Sequence, residues 1–215
     1  MHEAAPHNRR DQRREAILNV AREVFFEEGY SAASMSMIAA RLGGSKGTLY
    51  NYFKSKEELF AAHIHYQCEL FAEGAFSPLL VDDLPVDTVL TRLGERYLNH
   101  VFADWTVQNF RLIVTEAKRA PELARIFYEA GPAVGQERLA AYLERAKARG
   151  EINPSDCRRA AAQFIALCRG DTHFKFLLNL IEPPGPDQVQ VEVAAAVAMF
   201  MAAYGVRQGV DQGSP

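Results

Sequence analysis

Three serines that can begin helices follow one another closely near the N-terminus, and their spacing restricts the fold more than any other feature. Ser34, Ser45 and Ser55 each precede a stretch with helical character, and each lies only ten or eleven positions from the next. Serine is a preferred N-cap because its hydroxyl accepts from a free backbone N–H of the first turn. Helices that start this often must be short, so the region folds as a compact cluster of short helices.

The segments around these caps support the same interpretation. Residues 13–28 carry apolar side chains at Ile17, Val20, Ala21, Val24 and Phe25, the spacing of one helical face. Gly29 is placed to end that first helix, and Gly43-Gly44 to end the second. The third helix, residues 46–53, is limited to about two turns because 55–58 reads as a capping box, Ser-Lys-Glu-Glu.

The remainder of the chain is also helical in pattern. We predict helices over residues 56–76, 86–103, 105–119, 122–150, 157–181 and 188–205, with a kink or break at Gly131-Pro132. The clearest loop is 183–186, Pro-Pro-Gly-Pro, and no strand is predicted. The expected fold is all-α, with a helix-turn-helix domain over 1–56, of which 1–10 form a flexible arm, and a helical domain over 57–215.

Composition narrows the class of protein. The longest apolar run, 193–206, is too short to span a bilayer, and the Arg-rich start lacks the apolar core of a secretory signal. Three separated cysteines without a CxxC pair argue against a disulfide framework or zinc site, so we expect a cytoplasmic protein without metal or cofactor. Net charge is −3, but residues 1–60 carry nine basic against eight acidic side chains and hold Arg9, Arg10, Arg13 and Arg14. This basic cluster is interpreted either as a DNA-contacting arm or as a solvated charge run.

Two short helices joined by a glycine turn, beside a longer first helix, have the layout of a DNA-binding helix-turn-helix. The residue identities make the match specific, since Gly29-Tyr30, Ile38-Ala39, Gly43 and the run 45–53 with 55–59 closely resemble the signature of the TetR family of transcriptional regulators. The stretch from Arg111 to Glu116 followed by 121–123 is more loosely similar to the AefR-related subgroup. Gly44 stands where a valine commonly packs, and Ser36 where the family often has a basic residue.

The resemblance implies a ligand-responsive repressor that binds palindromic operator DNA as a homodimer. Lys46 and Thr48 would reach base edges, Gly47 would allow close approach, and Tyr50, Tyr52 and Lys56 would contact phosphates. The full predicted DNA-binding set is Ser34, Ser36, Ser45, Lys46, Gly47, Thr48, Tyr50, Asn51, Tyr52 and Lys56. Leu49 and Phe53 are expected to face the core.

The C-terminal helices supply the remaining predictions. An unknown small-molecule effector is expected in a pocket among the middle helices, lined by His100, Trp105, Asn109, Phe110, Glu116, Phe127, Tyr128 and His173. The apolar stripes of the last two helices predict a dimer interface of Phe164, Leu167, Phe174, Val193, Val197, Phe200, Met201 and Tyr204.

Ordinary helix packing is the alternative for most of the pocket residues. Glu116, for example, would then pair with Arg111 or Lys118.

Two other functions compete with this interpretation. A helical-bundle enzyme or carrier without DNA binding would need chemistry that the sequence does not display: it has no Glu-x-x-His pair, phosphate-binding glycine loop or nucleophile elbow. The second competing function is that of a regulator that has lost ligand control. We therefore expect no catalytic residues and no enzyme activity.

Overall fold

A computed structural model describes residues 9–80 and 84–206. Within these ranges the chain forms ten α-helices, one short 3-10 helix and no strand, which confirms the all-α prediction. The helices are α1 (Arg9–Glu28), α2 (Met35–Arg41), α3 (Lys46–Tyr50), α4 (Lys56–Ala75), α5 (Val86–Val101), α6 (Asp104–Glu116), α7 (Pro121–Ala130), α8 (Pro132–Ala148), α9 (Cys157–Leu177) and α10 (Pro186–Tyr204), with the 3-10 helix at Ser77–Leu80.

The chain divides into two compact units. The N-terminal unit consists of the described residues up to Leu70 together with Gln108–Gly131, and the C-terminal unit consists of Phe71–Val107 and the described residues from Pro132 onward. The boundary predicted at 56/57 differs from this division. The reason is that Ile113, Ala120 and Leu123, far along the sequence, belong to the same buried cluster as α1 to α4.

Aromatic side chains form the centre of the N-terminal unit. The rings of Phe25, Tyr30 and Phe60 lie 5.4 to 5.7 Å apart in pairs, all in tilted or edge-on arrangements. Such geometries place the positive edge of one ring against the negative face of another. Ile17 and Leu59 are fully buried beside them, so the predicted apolar face of α1 is confirmed.

Close helix packing characterises the C-terminal unit. α8 packs on α9, and α10 packs on α5 and α9. Gly94 of α5 makes the α5–α10 approach possible, because a Cβ placed there would lie 2.8 Å from Cγ1 of Val193. α9 is interrupted at Gly170, whose φ of 50° and ψ of −158° are non-helical, and the sequence pattern did not predict that kink.

The predicted helix ends are mostly confirmed. Gly29 has a φ of +78°, the left-handed conformation expected of a glycine that ends a helix. The amide of Glu58 donates to Ser55 Oγ at 3.2 Å, and the Glu58 carboxylate accepts from the amide of Lys54 at 2.7 Å. The break at Gly131-Pro132 separates α7 from α8.

Several helix boundaries differ from the sequence prediction by two residues or more. α3 ends at Tyr50 rather than residue 53, and α9 ends at Leu177 rather than residue 181. Arg9 and Arg10, predicted as part of a flexible arm, already belong to α1, while residues 1–8 lie outside the described chain.

Candidate nucleic-acid interface

Two serine caps define the helix-turn-helix. Ser34 Oγ accepts from the amide of Met37 at 3.3 Å at the start of α2. Ser45 Oγ accepts from the amide of Thr48 at 3.2 Å at the start of α3, and the hydroxyls of Ser45 and Thr48 lie 3.0 Å apart. Each short helix therefore has one of its free first-turn donors satisfied locally, which stabilises a segment that is too short to be stable alone.

The second helix of this motif has one buried and one exposed side. Leu49 is 1% exposed and packs in the core of the N-terminal unit with Ile38 and Phe53, as predicted. Tyr50, in contrast, is 48% exposed, and Lys46 is exposed as well. The buried leucine fixes the rotation of α3 about its own axis, so the polar side chains on the opposite side are held towards solvent.

Most members of the predicted DNA-binding set lie on this accessible surface. The exposed members are Ser36, Ser45, Lys46, Gly47, Tyr50 and Asn51, and the partly exposed members are Ser34, Thr48, Tyr52 and Lys56. A helix with an exposed polar side and a buried apolar side is the form in which a side chain reaches base edges in a major groove.

Lys56 is placed differently from the phosphate-contacting role expected for it. Its Nζ donates to the backbone carbonyls of Tyr30, Ala33 and Ser31 at 2.7, 3.1 and 3.4 Å, and it lies 4.3 Å from the centre of the Tyr30 ring. These three carbonyls use the three donors of the ammonium group. Lys56 therefore stabilises the loop between α1 and α2, a contact that the local sequence pattern could not indicate.

The predicted pocket residues are divided between the two units. In the N-terminal unit, Glu116 is 6% exposed and accepts from the Ser31 hydroxyl. Phe110 and Phe127 have ring centres 6.3 Å apart, and Tyr128 is 53% exposed. The Ser31 contact makes Glu116 part of the frame that supports the start of α2.

In the C-terminal unit the structure groups two of the predicted pocket residues. His100 stacks on Phe71, with ring centres 3.6 Å apart, and meets Trp105 edge-on at 4.9 Å. His173 packs separately against Phe102 at 5.8 Å. Burial lowers the pKa of both histidines to about 4, so both are neutral at pH 7.

Sequence reasoning missed a buried polar side chain in the N-terminal unit. His63 of α4 is 1% exposed, and neither ring nitrogen makes a well-formed hydrogen bond among the described residues. Burial, with the charge of Arg22, lowers its pKa to about 4, while neighbouring Asn109 counteracts part of this shift. The signal was available, because His63 lies four residues after buried Leu59 on the apolar side of α4.

The predicted dimer residues fall into two groups. Phe164, Val193, Val197 and Phe200 are buried within the C-terminal unit of a single chain. Leu167, Met201 and Tyr204 are partly buried, and Phe174 is 60% exposed. Side chains that are already covered inside one chain have little surface left for a second one, so the exposed residues of α9 and α10 are the ones available.

No helix in the described ranges is long and apolar enough to cross a membrane. Residues 9–80 and 84–206 also contain no group of three or more histidine, cysteine or acidic side chains arranged to hold a metal ion. The three cysteines are free thiols, and burial raises the pKa of Cys68 and Cys157 to about 11 and that of Cys168 to about 12.

The fold and the capped pair α2–α3 define the class: a helix-turn-helix regulator that binds DNA. The N-terminal residues 17–63 match the family model described as bacterial regulatory proteins, tetR family. Residues 88–206, more than half of the chain, match the AefR-like transcriptional repressor C-terminal domain. The chain belongs to the TetR family of transcriptional regulators, with a C-terminal domain of the AefR-like type.

Individual relatives agree with this placement. The flavonoid-responsive regulator FrrA is 34% identical, with a TM-score of 0.77 over 91% of this chain and 98% of its own. A TetR-family regulator from Mesorhizobium loti, 24% identical, has the same fold, with a TM-score of 0.81 over 93% of this chain and 100% of its own. The transcriptional activator FasR of Mycolicibacterium smegmatis is 45% identical over 65 residues, which are 30% of each chain. The match therefore spans less than a third of that curated relative.

Proposed function

We propose that this protein is a cytoplasmic, ligand-responsive repressor that binds a palindromic operator as a homodimer and has no enzyme activity. The observation that carries the proposal is the orientation of α3, in which Leu49 is buried and Lys46, Tyr50 and Asn51 face solvent. The description of the matched C-terminal domain as an AefR-like repressor favours repression over activation.

The contacts to DNA are divided by chemistry. Lys46 and Thr48, in the first turn of α3, are proposed to reach base edges, and Gly47 between them lets the backbone come close to the duplex. The hydroxyls of Tyr50 and Tyr52 donate to phosphates, as do the hydroxyls of the exposed serines. Base contacts determine which sequence is bound, and phosphate contacts determine how the motif is positioned on it.

The dimer is proposed to form through the exposed side of the last two helices. Val191 and Met199 of α10 are 68% and 61% exposed, and Phe174 and Leu178 at the end of α9 are 60% and 53% exposed. The alanines between Val191 and Met199 that face solvent permit close helix approach: Ala194, Ala195 and Ala198. A two-fold dimer would present two copies of α3 to successive major grooves, about 34–36 Å apart.

Ligand control is supported by a relative rather than by a contact in the structure. FrrA responds to flavonoids by its name, and it aligns with almost the whole of this chain. An aromatic effector suits the stacked ring group of Phe71, His100 and Trp105. A coupling free energy of about 1–3 kcal/mol between effector and operator would lower operator affinity roughly 5- to 150-fold.

The test is selection of a binding site from a random duplex library, followed by affinity measurements on the selected duplex. We expect a palindromic site, and Lys46→Ala is expected to relax base preference while Tyr50→Phe weakens binding to all sequences alike. Arg158→Ala, on the exposed surface of α9, is the matched control and should bind as the wild type does. Failure of the wild-type protein to enrich any sequence would overturn the proposal.

The effector is tested on the same duplex. We expect members of a flavonoid panel to release the protein from the selected site and to raise its melting temperature, since a ligand that binds only the folded state stabilises it. Stabilisation without release would contradict ligand control of DNA binding.

A further inference from the structure

An arginine-lined concavity lies on the N-terminal unit beside the helix-turn-helix motif. It has a volume of about 690 Å³ and is open to solvent. Its lining residues come from the first two turns of α1 and from the segment after α3: Arg9, Arg10, Gln12, Arg13, Ala16 and Tyr52. The family model begins only at residue 17, so all of the α1 residues of this surface precede the matched region.

The arginines of this concavity form no close ion pair within the described chain. Arg9 and Arg10 are exposed, and no ion pair of Arg9, Arg10 or Arg13 is present among residues 9–80 and 84–206. The nearby carboxylate of Glu15 is occupied elsewhere, because it accepts from the Tyr66 hydroxyl at 3.1 Å. Arg9, Arg10 and Arg13 outnumber the one acidic side chain between them, Asp11, so the first turns of α1 keep an excess of positive charge that attracts an anion from solution.

The guanidinium group of Arg13 lies directly beside Gly44. A Cβ at Gly44 would lie 3.3 Å from Nη2 of Arg13, a distance at which the guanidinium would have to give way. Arg13 is accordingly only partly exposed, unlike Arg9 and Arg10. The absence of a side chain at Gly44 therefore makes room for a cation at the turn of the motif.

The concavity borders both ends of the proposed recognition helix. Arg13 lies against Gly44, the residue directly before the Ser45 cap, and Tyr52 comes two residues after the end of α3. A duplex that accepts α3 in its major groove must carry its sugar-phosphate backbone past the ends of that helix. The arginines are thus placed beside a strand of phosphates rather than beside base edges.

We propose that Arg9, Arg10 and Arg13 form a second DNA-binding surface that binds phosphodiester groups of the duplex next to Tyr52 and the contacts of α3. The inference rests on the proposed operator binding and adds to it a phosphate site that contributes affinity but no base preference. Guanidinium groups are suited to this role because their planar donors bind phosphate oxygens in pairs.

The salt dependence of binding tests the surface. The triple variant Arg9→Gln/Arg10→Gln/Arg13→Gln is compared with the wild type on the selected duplex between 50 and 200 mM salt, conditions that span the usual range for such titrations. Each lost phosphate contact reduces the magnitude of the negative slope of log K against log[salt] by about 0.9. Three lost contacts therefore reduce it by about 2.7 per bound protomer. Base preference should stay unchanged.

The matched control removes the same charge elsewhere. Arg125, Arg158 and Arg159 have side chains that are 65%, 78% and 76% exposed, and their triple glutamine variant should keep the wild-type slope. A single variant, Arg13→Gln, removes one of the three charges. We expect it to reduce the magnitude of the slope by about 0.9.

The outcomes separate this inference from the proposed function. Selective wild-type binding with the same slope in the arginine variant and the wild type would overturn the second surface alone. An equal reduction in the magnitude of the slope for the control variant would also overturn the second surface, because the effect would then come from net charge alone. A wild-type protein that selects no DNA sequence overturns the proposed function first.

Discussion

The two units of the molecule bury different kinds of side chain. Among the described residues, the three buried side chains that carry an imidazole, amide or carboxylate group, His63, Asn109 and Glu116, all belong to the N-terminal unit, whereas the buried titratable groups of the C-terminal unit are the phenol of Tyr142 and the thiols of Cys157 and Cys168. The largest fully buried residues of the C-terminal unit include Phe164 and Phe200, which pack edge-on at 5.6 Å. The proposed DNA-binding unit is thus partly polar inside, whereas the proposed dimerisation unit has a predominantly apolar core.

The difference in buried side chains indicates that the two cores have different roles. Burying apolar area supplies most of the free energy of folding without restricting geometry strongly. A buried carboxylate such as Glu116, by contrast, is tolerated only where its partner is correctly placed. We infer that the polar interior of the N-terminal unit selects one position for the loop before α2, and that the C-terminal core chiefly supplies stability.

The largest expected effect comes from the apolar core. Phe200→Ala in α10 removes a ring that is 1% exposed, and we expect it to lower the free energy of unfolding of the C-terminal unit by about 3–5 kcal/mol. Trp105, the single tryptophan, lies in this unit and reports its unfolding in urea. Gln190→Ala, at an exposed position of the same helix, should change stability by less than about 0.5 kcal/mol. Equal losses in both variants would remove the distinction between core and surface on α10.

Acid should reveal the polar interior of the N-terminal unit. The pKa of His63 is about 4 when folded and 6.5 when unfolded, so the unfolded chain binds more protons between these values and stability is lost as pH falls through them. The difference corresponds to about 3 kcal/mol between pH 7 and pH 4.

The variant His63→Leu isolates this contribution, because His100 and His173 titrate identically in both proteins. We expect the pH dependence of unfolding, followed by hydrogen exchange of α1 and α4 amides, to be smaller in the variant by that amount. An unchanged pH dependence would show that His63 does not stay neutral in the folded protein.

The smallest effect concerns the contact between Glu116 and Ser31. Glu116→Ala removes the acceptor of the Ser31 hydroxyl, and we expect a loss of about 1–3 kcal/mol together with faster exchange of the amides at the start of α2. Glu116→Gln keeps one acceptor oxygen and should recover part of the loss. Glu129→Ala, an exposed residue of the surface pair with Arg125, is the control. If the amides at the start of α2 exchange as slowly in Glu116→Ala as in the wild type, Lys56 alone holds the loop before α2.

The sequence predicted the features that depend on neighbouring residues. Ser34, Ser45 and the box at Ser55 are caps because each hydroxyl meets an amide only three residues away, and the period of the apolar residues placed α1 on its buried side. The contacts of Lys56 and Glu116 could not be predicted in this way. They join residues 23 to 26 and 85 positions apart, and nothing local distinguishes them from surface charges.

The C-terminal helices show a second limit of the pattern. An apolar stripe predicts that a helix side is covered but not what covers it. Val193 and Phe200, predicted for a dimer interface, are buried within their own chain. The kink at Gly170 was missed for a related reason, since one glycine within a helical pattern is usually tolerated.

The division of the chain also limits how such a regulator can be rebuilt. Exchanging the stretch up to residue 63, the end of the matched N-terminal family region, would transplant α1 to α3 without Ile113, Ala120 and Leu123, which complete their core. A chimaera joined at that point would face cavities wherever the new partner's α6 and α7 differ in shape. DNA-binding specificity can therefore be transferred with an intact core only if two non-adjacent segments of the chain are exchanged together.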